Sequence, residues 1–250
     1  LGHSISAEIH KAGLESIDVD ATYEILETPA EDLIARIKYL KTQGYNGFNI
    51  TIPLKVPMKL FIDAGDKYAD VSGCVNTVKI EDDDKSFIGY NTDIYGFEEA
   101  IPDEIRKNLF GKNACILGTG GAARAAVVGL VETGLKEINF YSRNIVDASE
   151  TAEYFRRMFP NVTFNLYQRS SKGELFNSAI IVNATPTGMQ GHSADEMPLS
   201  EITISELPKE TIIYDVIYNP YETLLLRCAK SYGLRTINGL DMLIHQAARA

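Results

Sequence analysis

Tryptophan is absent from the 250-residue chain, cysteine occurs three times and histidine four times. Cys74, Cys115 and Cys228 are odd in number, far apart and set among apolar neighbours, so they read as reduced, buried side chains rather than a disulfide frame or a zinc site. His3, His10, His192 and His245 have no metal-ligand spacing, and no metal is expected. Basic charge is also short: 24 Lys and Arg stand against 34 Asp and Glu, a net charge of −10. Such a chain offers no basic stripe to nucleic acid or to an anionic membrane, so any bound anion needs a local cluster. No apolar run approaches the roughly 20 residues of a membrane span. No basic and apolar targeting pattern opens the sequence, and the cytoplasm is the expected location. The Asn-x-Ser/Thr matches at Asn49, Asn161 and Asn183 are then coincidental.

What is present is the composition of a globular protein, 45% hydrophobic and 23% charged, at a length that suits two cores. Strand and helix patterns alternate, which predicts α/β architecture with largely parallel sheets. Residues 30–42 carry Leu33, Ile34, Ile37 and Leu40 at helical spacing and stop at Gln43-Gly44. A strand is predicted over 47–52, a short helix over 57–64, and a hairpin from 76–80 and 87–90 around an acidic turn. After Asn91-Thr92-Asp93 the pattern changes to a helix at 94–100 and a polar stretch to Lys112. Strands are then predicted at 114–117, 137–141, 163–166, 179–183, 211–216 and 236–238. Helices are predicted at 122–133, 148–158, 221–232 and 239–250.

Gly118-Thr119-Gly120-Gly121-Ala122-Ala123-Arg124 follows an apolar strand directly and opens a helix, so Gly118, Gly120 and Ala123 fit Gly-x-Gly-x-x-Gly/Ala. Glycines there let the backbone approach a pyrophosphate, whose charge meets the free N–H groups of the helix N-terminus. The next strand ends Tyr141-Ser142-Arg143-Asn144. An arginine at that place suits the 2′-phosphate of NADP. Asp147, four residues on, either pairs with Arg143 or binds an unphosphorylated ribose, so NAD stays open.

Polar residues cluster where strands and hairpins should end: Ser4 and Ser6 in GHSIS, Thr51 and Lys55 in NITIPLK, Asn76 in GCVNT and Asp93 in GYNTD. Singly each has a plain reading, a solvated lysine or a helix-capping aspartate. With GTGGAAR, NATPTGM, DVIYNP and GLDMLIHQA they run from Gly2 to Ala247 in order, and the chain resembles the shikimate dehydrogenase family. The resemblance implies two α/β domains across a cleft. A substrate domain, 1–95 with 239–250 packing back on it, would carry a mainly parallel sheet, and 96–238 would be a Rossmann-like NADP-binding domain.

The implied reaction is NADPH-dependent, reversible reduction of 3-dehydroshikimate to shikimate in aromatic amino-acid biosynthesis. A hydride reaching a ring carbonyl leaves an alkoxide that needs a proton and a nearby positive charge. By resemblance Lys55 and Asp93 form the catalytic pair. Ser4 and Ser6 hold the substrate carboxylate, with Thr51 and Tyr218 close by, and Asn76, Asp93 and Gln246 read the ring hydroxyls. Gly118, Gly120, Gly121 and Ala122 lie at the pyrophosphate and Ser142, Arg143 and Asn144 at the adenosine end. Thr185, Met189, Ile217, Gly239 and Met242 flank the nicotinamide. Two other readings are an NAD-using quinate/shikimate dehydrogenase and a non-catalytic dinucleotide-binding regulator, which would not need Lys55 and Asp93.

Four positions depart from the family pattern. Ala7 stands where proline is usual, Cys74 where another small residue is usual, and Ser142 where asparagine is frequent. Asp147 occupies a place where NADP-dependent members often carry a second arginine, and it repels a 2′-phosphate unless Arg143 neutralises it. The chain opens inside the first strand-to-helix connection and stops soon after Gln246, so a slightly longer protein is expected. It is expected to be a monomer or homodimer acting on a small molecule.

Overall fold

The computed structural model describes residues 4–168, 171 and 173–250, so Gly2 and His3 of GHSIS lie outside the described residues. Helices α1 (Ser6–Ser16) and α2 (Leu33–Thr42) precede strand β1 (Gly47–Asn49). Helix α2 buries Leu33, Ile37 and Leu40, while residues 30–32 form a separate 3-10 turn. Strand β1 is half its predicted length because the chain turns directly after Ile50, the Leu54 N–H closing on the Thr51 carbonyl at 2.9 Å. In place of the helix predicted at 57–64 there is a 3-10 stretch, Pro57–Phe61, and a two-residue strand β2 (Ala64–Gly65). Helix α3 (Lys67–Ser72), capped by Asp66, leads to the predicted hairpin of β3 (Thr77–Ile80) and β4 (Phe87–Tyr90).

This first sheet has the order β1-β3-β4-β2, with β1/β3 and β3/β4 antiparallel and β2/β4 parallel. It is mixed where a mainly parallel sheet is expected. The tight connection between β3 and β4 allows only antiparallel neighbours, since a parallel pair needs a crossover of a dozen or more residues. Met58, Val75, Val78, Ile80 and Phe87 form its core against Leu33 and Ile37.

Helix α4 (Thr92–Glu99) is followed by α5 (Asp103–Leu109), which lies in the stretch read as polar and buries only Ile105 and Leu109. Then come β5 (Asn113–Leu117), α6 (Gly121–Glu132), β6 (Glu137–Ser142), α7 (Ile145–Met158) and β7 (Thr163–Gln168). The chain continues with β8 (Ile180–Asn183), α8 (Glu201–Glu206), β9 (Ile212–Asp215), α9 (Leu224–Ser231), β10 (Arg235–Ile237) and α10 (Leu240–Arg249). Six parallel strands in the order β10-β9-β8-β5-β6-β7 make a doubly wound sheet whose order reverses between β5 and β8. Both faces are covered: Ile116 and Phe140 pack with α6 and α7, Cys115 and Leu117 with Leu225 and Leu226.

Helix α4 joins the two halves, packed between α10 and α6. A Cβ on Gly96 would stand 2.5 Å from the Met242 carbonyl oxygen, and one on Gly129 2.7 Å from Phe97, so glycine allows both helices to approach α4. No helix of the described residues is long and apolar enough to cross a membrane.

Candidate active site

The turn after β1 carries Lys55, and the start of α4 carries Asp93. The Lys55 Nζ lies 2.5 Å from Asp93 Oδ2, with the lysine side chain 18% and the carboxylate 4% exposed. Removing either partner leaves a charge largely cut off from water, a loss of about 3–5 kcal/mol for a buried pair. Two backbone bonds aim the residues: the Val75 N–H donates to the Lys55 carbonyl at 2.9 Å, and the Asp93 N–H donates to Asn91 Oδ1 at 3.2 Å. Asp93 thus lies in the first turn of α4, two residues past the cap Asn91, and its carboxylate is free for Lys55.

Asn76 connects the pair to the C-terminal helix. Its amide nitrogen lies 2.8 Å from Thr92 Oγ1, 3.0 Å from Asp93 Oδ1 and 3.2 Å from Gln246 Oε1. Two hydrogens face three acceptors, so Gln246, at the longest distance, is held least and is the one most easily turned toward a ligand. From the other side, Tyr23 Oη donates to Asn49, Asn49 to Thr77 and Thr77 to Asn76 Oδ1, all within 3.1 Å. Ser4 Oγ donates to Ser6 Oγ at 3.1 Å at the start of α1, which packs on α10. Ala7 continues α1 in its first turn. Thr51 is exposed, and Tyr218 is half-buried with its phenol pushed up by burial.

The glycine turn faces this network. Gly118 has φ +100°, and a Cβ there would meet Thr185 Cγ2 at 3.0 Å, so the turn demands glycine. Helix α6 has no side-chain cap, and a Cβ on Gly120 would meet nothing within 4 Å. An open backbone face in front of uncapped N–H groups fits a pyrophosphate. At Gly121 the Lys55 side chain packs so closely that a Cβ would stand 2.9 Å from its carbons. Cys74 is fully buried at the same contact, its Sγ 3.8 Å from the Gly121 carbonyl oxygen, and burial pushes its thiol up.

The remaining predicted residues fall into two groups. At the end of β6, Asn144 Oδ1 caps α7 by accepting from the Val146 and Asp147 N–H groups, and Ser142 Oγ donates to the Asn144 carbonyl. Arg143 and Asp147 are both exposed and form no ion pair with each other. Beyond β8 and β9, the Gly239 N–H donates to the Ile217 carbonyl at 3.0 Å, so these two residues meet. Thr185 Oγ1 donates to Asn183 Oδ1 at 2.7 Å, and Met189 is half-buried in the same loop. Met242 is 6% exposed and packs in the core beside α4. Ala122 follows Gly121 in the first turn of α6.

Tyr23, Asn49, Thr77, Asn91 and Thr92 connect the predicted residues and are not among them. NIT and GYNTD display Asn49, Asn91 and Thr92 beside the chosen positions, but nothing in the sequence says which distant partner each meets.

Comparison with known proteins agrees with this fold. Residues 1–78 match the family model described as the shikimate dehydrogenase substrate binding domain. A Bacillus cereus shikimate dehydrogenase (NADP(+)) is 37% identical over 250 residues, 100% of this chain and 87% of that protein. A shikimate dehydrogenase solved in complex with NADP+ superposes with a TM-score of 0.85 at 35% identity, covering 98% of this chain and 83% of the other. The fold is shared by proteins of other substrates. A 5-ketofructose reductase of Gluconobacter sp. strain CHM43 has a TM-score of 0.81 at 32% identity, over 98% of this chain and 86% of that one. A Corynebacterium glutamicum quinate dehydrogenase in complex with NAD has 0.83 at 27%, over the same shares.

Proposed function

This chain belongs to the shikimate dehydrogenase family of oxidoreductases, and we propose that within it the protein catalyses the NADPH-dependent, reversible reduction of 3-dehydroshikimate to shikimate. The observation that carries the reading is the Lys55–Asp93 pair packed against Gly121 of an open glycine turn. A regulator that only bound the dinucleotide would have no use for that pair.

The bound nicotinamide cofactor supplies the hydride. Lys55 gives the proton to the oxygen that gains charge and stabilises it electrostatically. Asp93 keeps the ammonium oriented, and its Oδ1 and Asn76 face the adjacent hydroxyl. Ser4 and Ser6 receive the carboxylate, with Thr51 and Tyr218 beside it, and Gln246 turns to a further hydroxyl. Gly118, Gly120, Gly121 and Ala122 hold the pyrophosphate. Thr185, Met189, Ile217 and Gly239 hold the nicotinamide end, with Met242 behind them. Residues 1–95 and 239–250 form the substrate domain, and 96–238 the nucleotide domain.

Arg143 supports NADP. It is exposed at the end of β6 and forms no ion pair among the described residues, so its charge is available to a 2′-phosphate. Asp147, equally free of Arg143, supports the second reading, an NAD-using quinate/shikimate dehydrogenase. The test follows nicotinamide absorbance with shikimate or quinate crossed against NADP or NAD. Shikimate with NADP should give the highest kcat/KM. A clear preference for quinate with NAD would replace the first reading by the second, and no turnover with any pair would remove both.

A further inference from the structure

We propose that Asp215 is a positioning residue whose buried carboxylate holds the loops after β8 and β9, residues 184–189 and 216–219, in the register a nicotinamide ring needs. The inference rests on the dinucleotide reading above.

Asp215 ends β9 with no exposed surface. Its two oxygens have different partners. Oδ1 accepts from Asn183 Nδ2 at 3.0 Å and from the Ile217 N–H at 3.1 Å. Oδ2 accepts from Thr223 Oγ1 at 2.7 Å, the hydroxyl that caps α9. Asn183 ends β8 and is equally buried. Its Oδ1 accepts from the Thr185 N–H at 3.1 Å and from Thr185 Oγ1 at 2.7 Å, while its Nδ2 also donates to the Thr187 carbonyl. The line Thr223–Asp215–Asn183–Thr185 therefore crosses the carboxyl edge of the parallel sheet, where open α/β sheets bind their ligands.

A carboxylate buried without a cation is costly. Burial pushes Asp215 up to about 6 against the pull of its three hydrogen bonds, and no charged group of β8, β10 or α9 adds to the shift. The division of partners makes its protonation harmless. A proton on Oδ2 is donated to the Thr223 hydroxyl, which can reverse from donor to acceptor, while Oδ1 keeps both loop-side donors. Asparagine copies that protonated form. Alanine removes the acceptors and leaves one Asn183 Nδ2 hydrogen and the Ile217 N–H unsatisfied.

The test uses the full chain and the fluorescence of bound NADPH, or NADH if that is the cofactor retained, which rises when the reduced nicotinamide is immobilised. In Asp215→Ala the enhancement should fall by about 3-fold or more and turnover by about 100-fold, as expected for a misplaced reacting group. The dissociation constant should change by less than about 5-fold, because the pyrophosphate and adenosine contacts remain. Asp215→Asn should restore turnover to within about 3-fold of the unmodified chain and stay so through pH 6. A folded Asp215→Ala with unmodified fluorescence and turnover would overturn the inference. So would Asp215→Asn falling as far as alanine, since the charge and not the acceptor would then matter. If Asp215→Ala does not fold, Asn183→Ala, which releases Thr185 and Thr187 and leaves Asp215 its bonds to Ile217 and Thr223, should lose fluorescence enhancement in the same way, and an unchanged signal overturns the inference. An unmodified chain that binds neither NADPH nor NADH overturns the dinucleotide reading itself, whereas binding unaltered by the substitutions overturns this inference only.

Discussion

Arg143 and Asp147 illustrate how a single residue's role depends on what it does not touch. Both are exposed, four positions apart at the end of β6 and the start of α7, and no ion pair joins them. A free guanidinium favours a 2′-phosphate, and a free carboxylate at a helix N-terminus disfavours it. Arg143→Ala should therefore raise KM for NADP about 10-fold or more and leave KM for NAD within about 2-fold, the loss expected for one charge-assisted contact. A uniform effect on both would remove the 2′-phosphate role. Asp147→Arg should shift preference further toward NADP, and steady-state kinetics with both cofactors would show it. That Lys55, Asp93, Asn76 and Gln246 belong together was legible because their motifs are spaced along the whole chain, and the four meet in the structure. Asn91 and Thr92 were not legible. Their roles come from contacts with Asp93 and Asn76, and the sequence contains no record of which segments approach each other.

Helix α4 carries the site at one end and the junction between the sheets at the other. Near its C-terminus Glu98 faces Glu132 of α6, and burial together with that neighbour pushes the Glu98 carboxyl up to about 8. A folded-state value above the usual 4.5 means that the folded chain holds the proton longer than the unfolded one, so stability falls as pH rises from about 4.5 to 8. Glu98→Gln should flatten that slope and raise Tm most above pH 8, with little change near pH 4; thermal melts across pH that keep the slope would contradict this. Helix α6 is tied to the first half by Arg124, whose Nη1 donates to the Ser72 carbonyl at 3.0 Å while its guanidinium stacks on Tyr154. Ser72 Oγ in turn accepts from Asn91, the cap of α4. Arg124→Met should cost about 1–3 kcal/mol in denaturant unfolding, the worth of a hydrogen bond to a charged group, and an unchanged midpoint would show that the tie carries no stability. Elements with strong periodicity, such as α2, α6 and the parallel strands, were legible in sequence. Helices α3, α5 and α8 were not, because each has only six or seven residues and buries two. The mixed first sheet was also missed, since pairing direction follows from which segments become neighbours.

Across the whole molecule, neither half holds all of the candidate site. The first sheet supplies Lys55 and Asn76, the doubly wound sheet the glycine turn, and α4 and α10 bring Asp93 and Gln246 to the boundary. A largely parallel sheet was expected from alternating strands and helices, and a Rossmann-like domain from the resemblance; the six parallel strands of the second sheet agree with both. What could not be read was how closely the halves meet, with Lys55 carbons packed on the Gly121 backbone and Cys74 beneath them. In the proposed reaction, Lys55 of the first half acts on chemistry carried by the opposite half. Its most direct test is turnover of shikimate with NADP in Lys55→Ala, measured alongside the binding of each. There kcat should fall by about 10²–10⁴, the usual worth of a positioned general acid, with both affinities within about 5-fold. Undiminished kcat, or a loss confined to shikimate affinity, would contradict it.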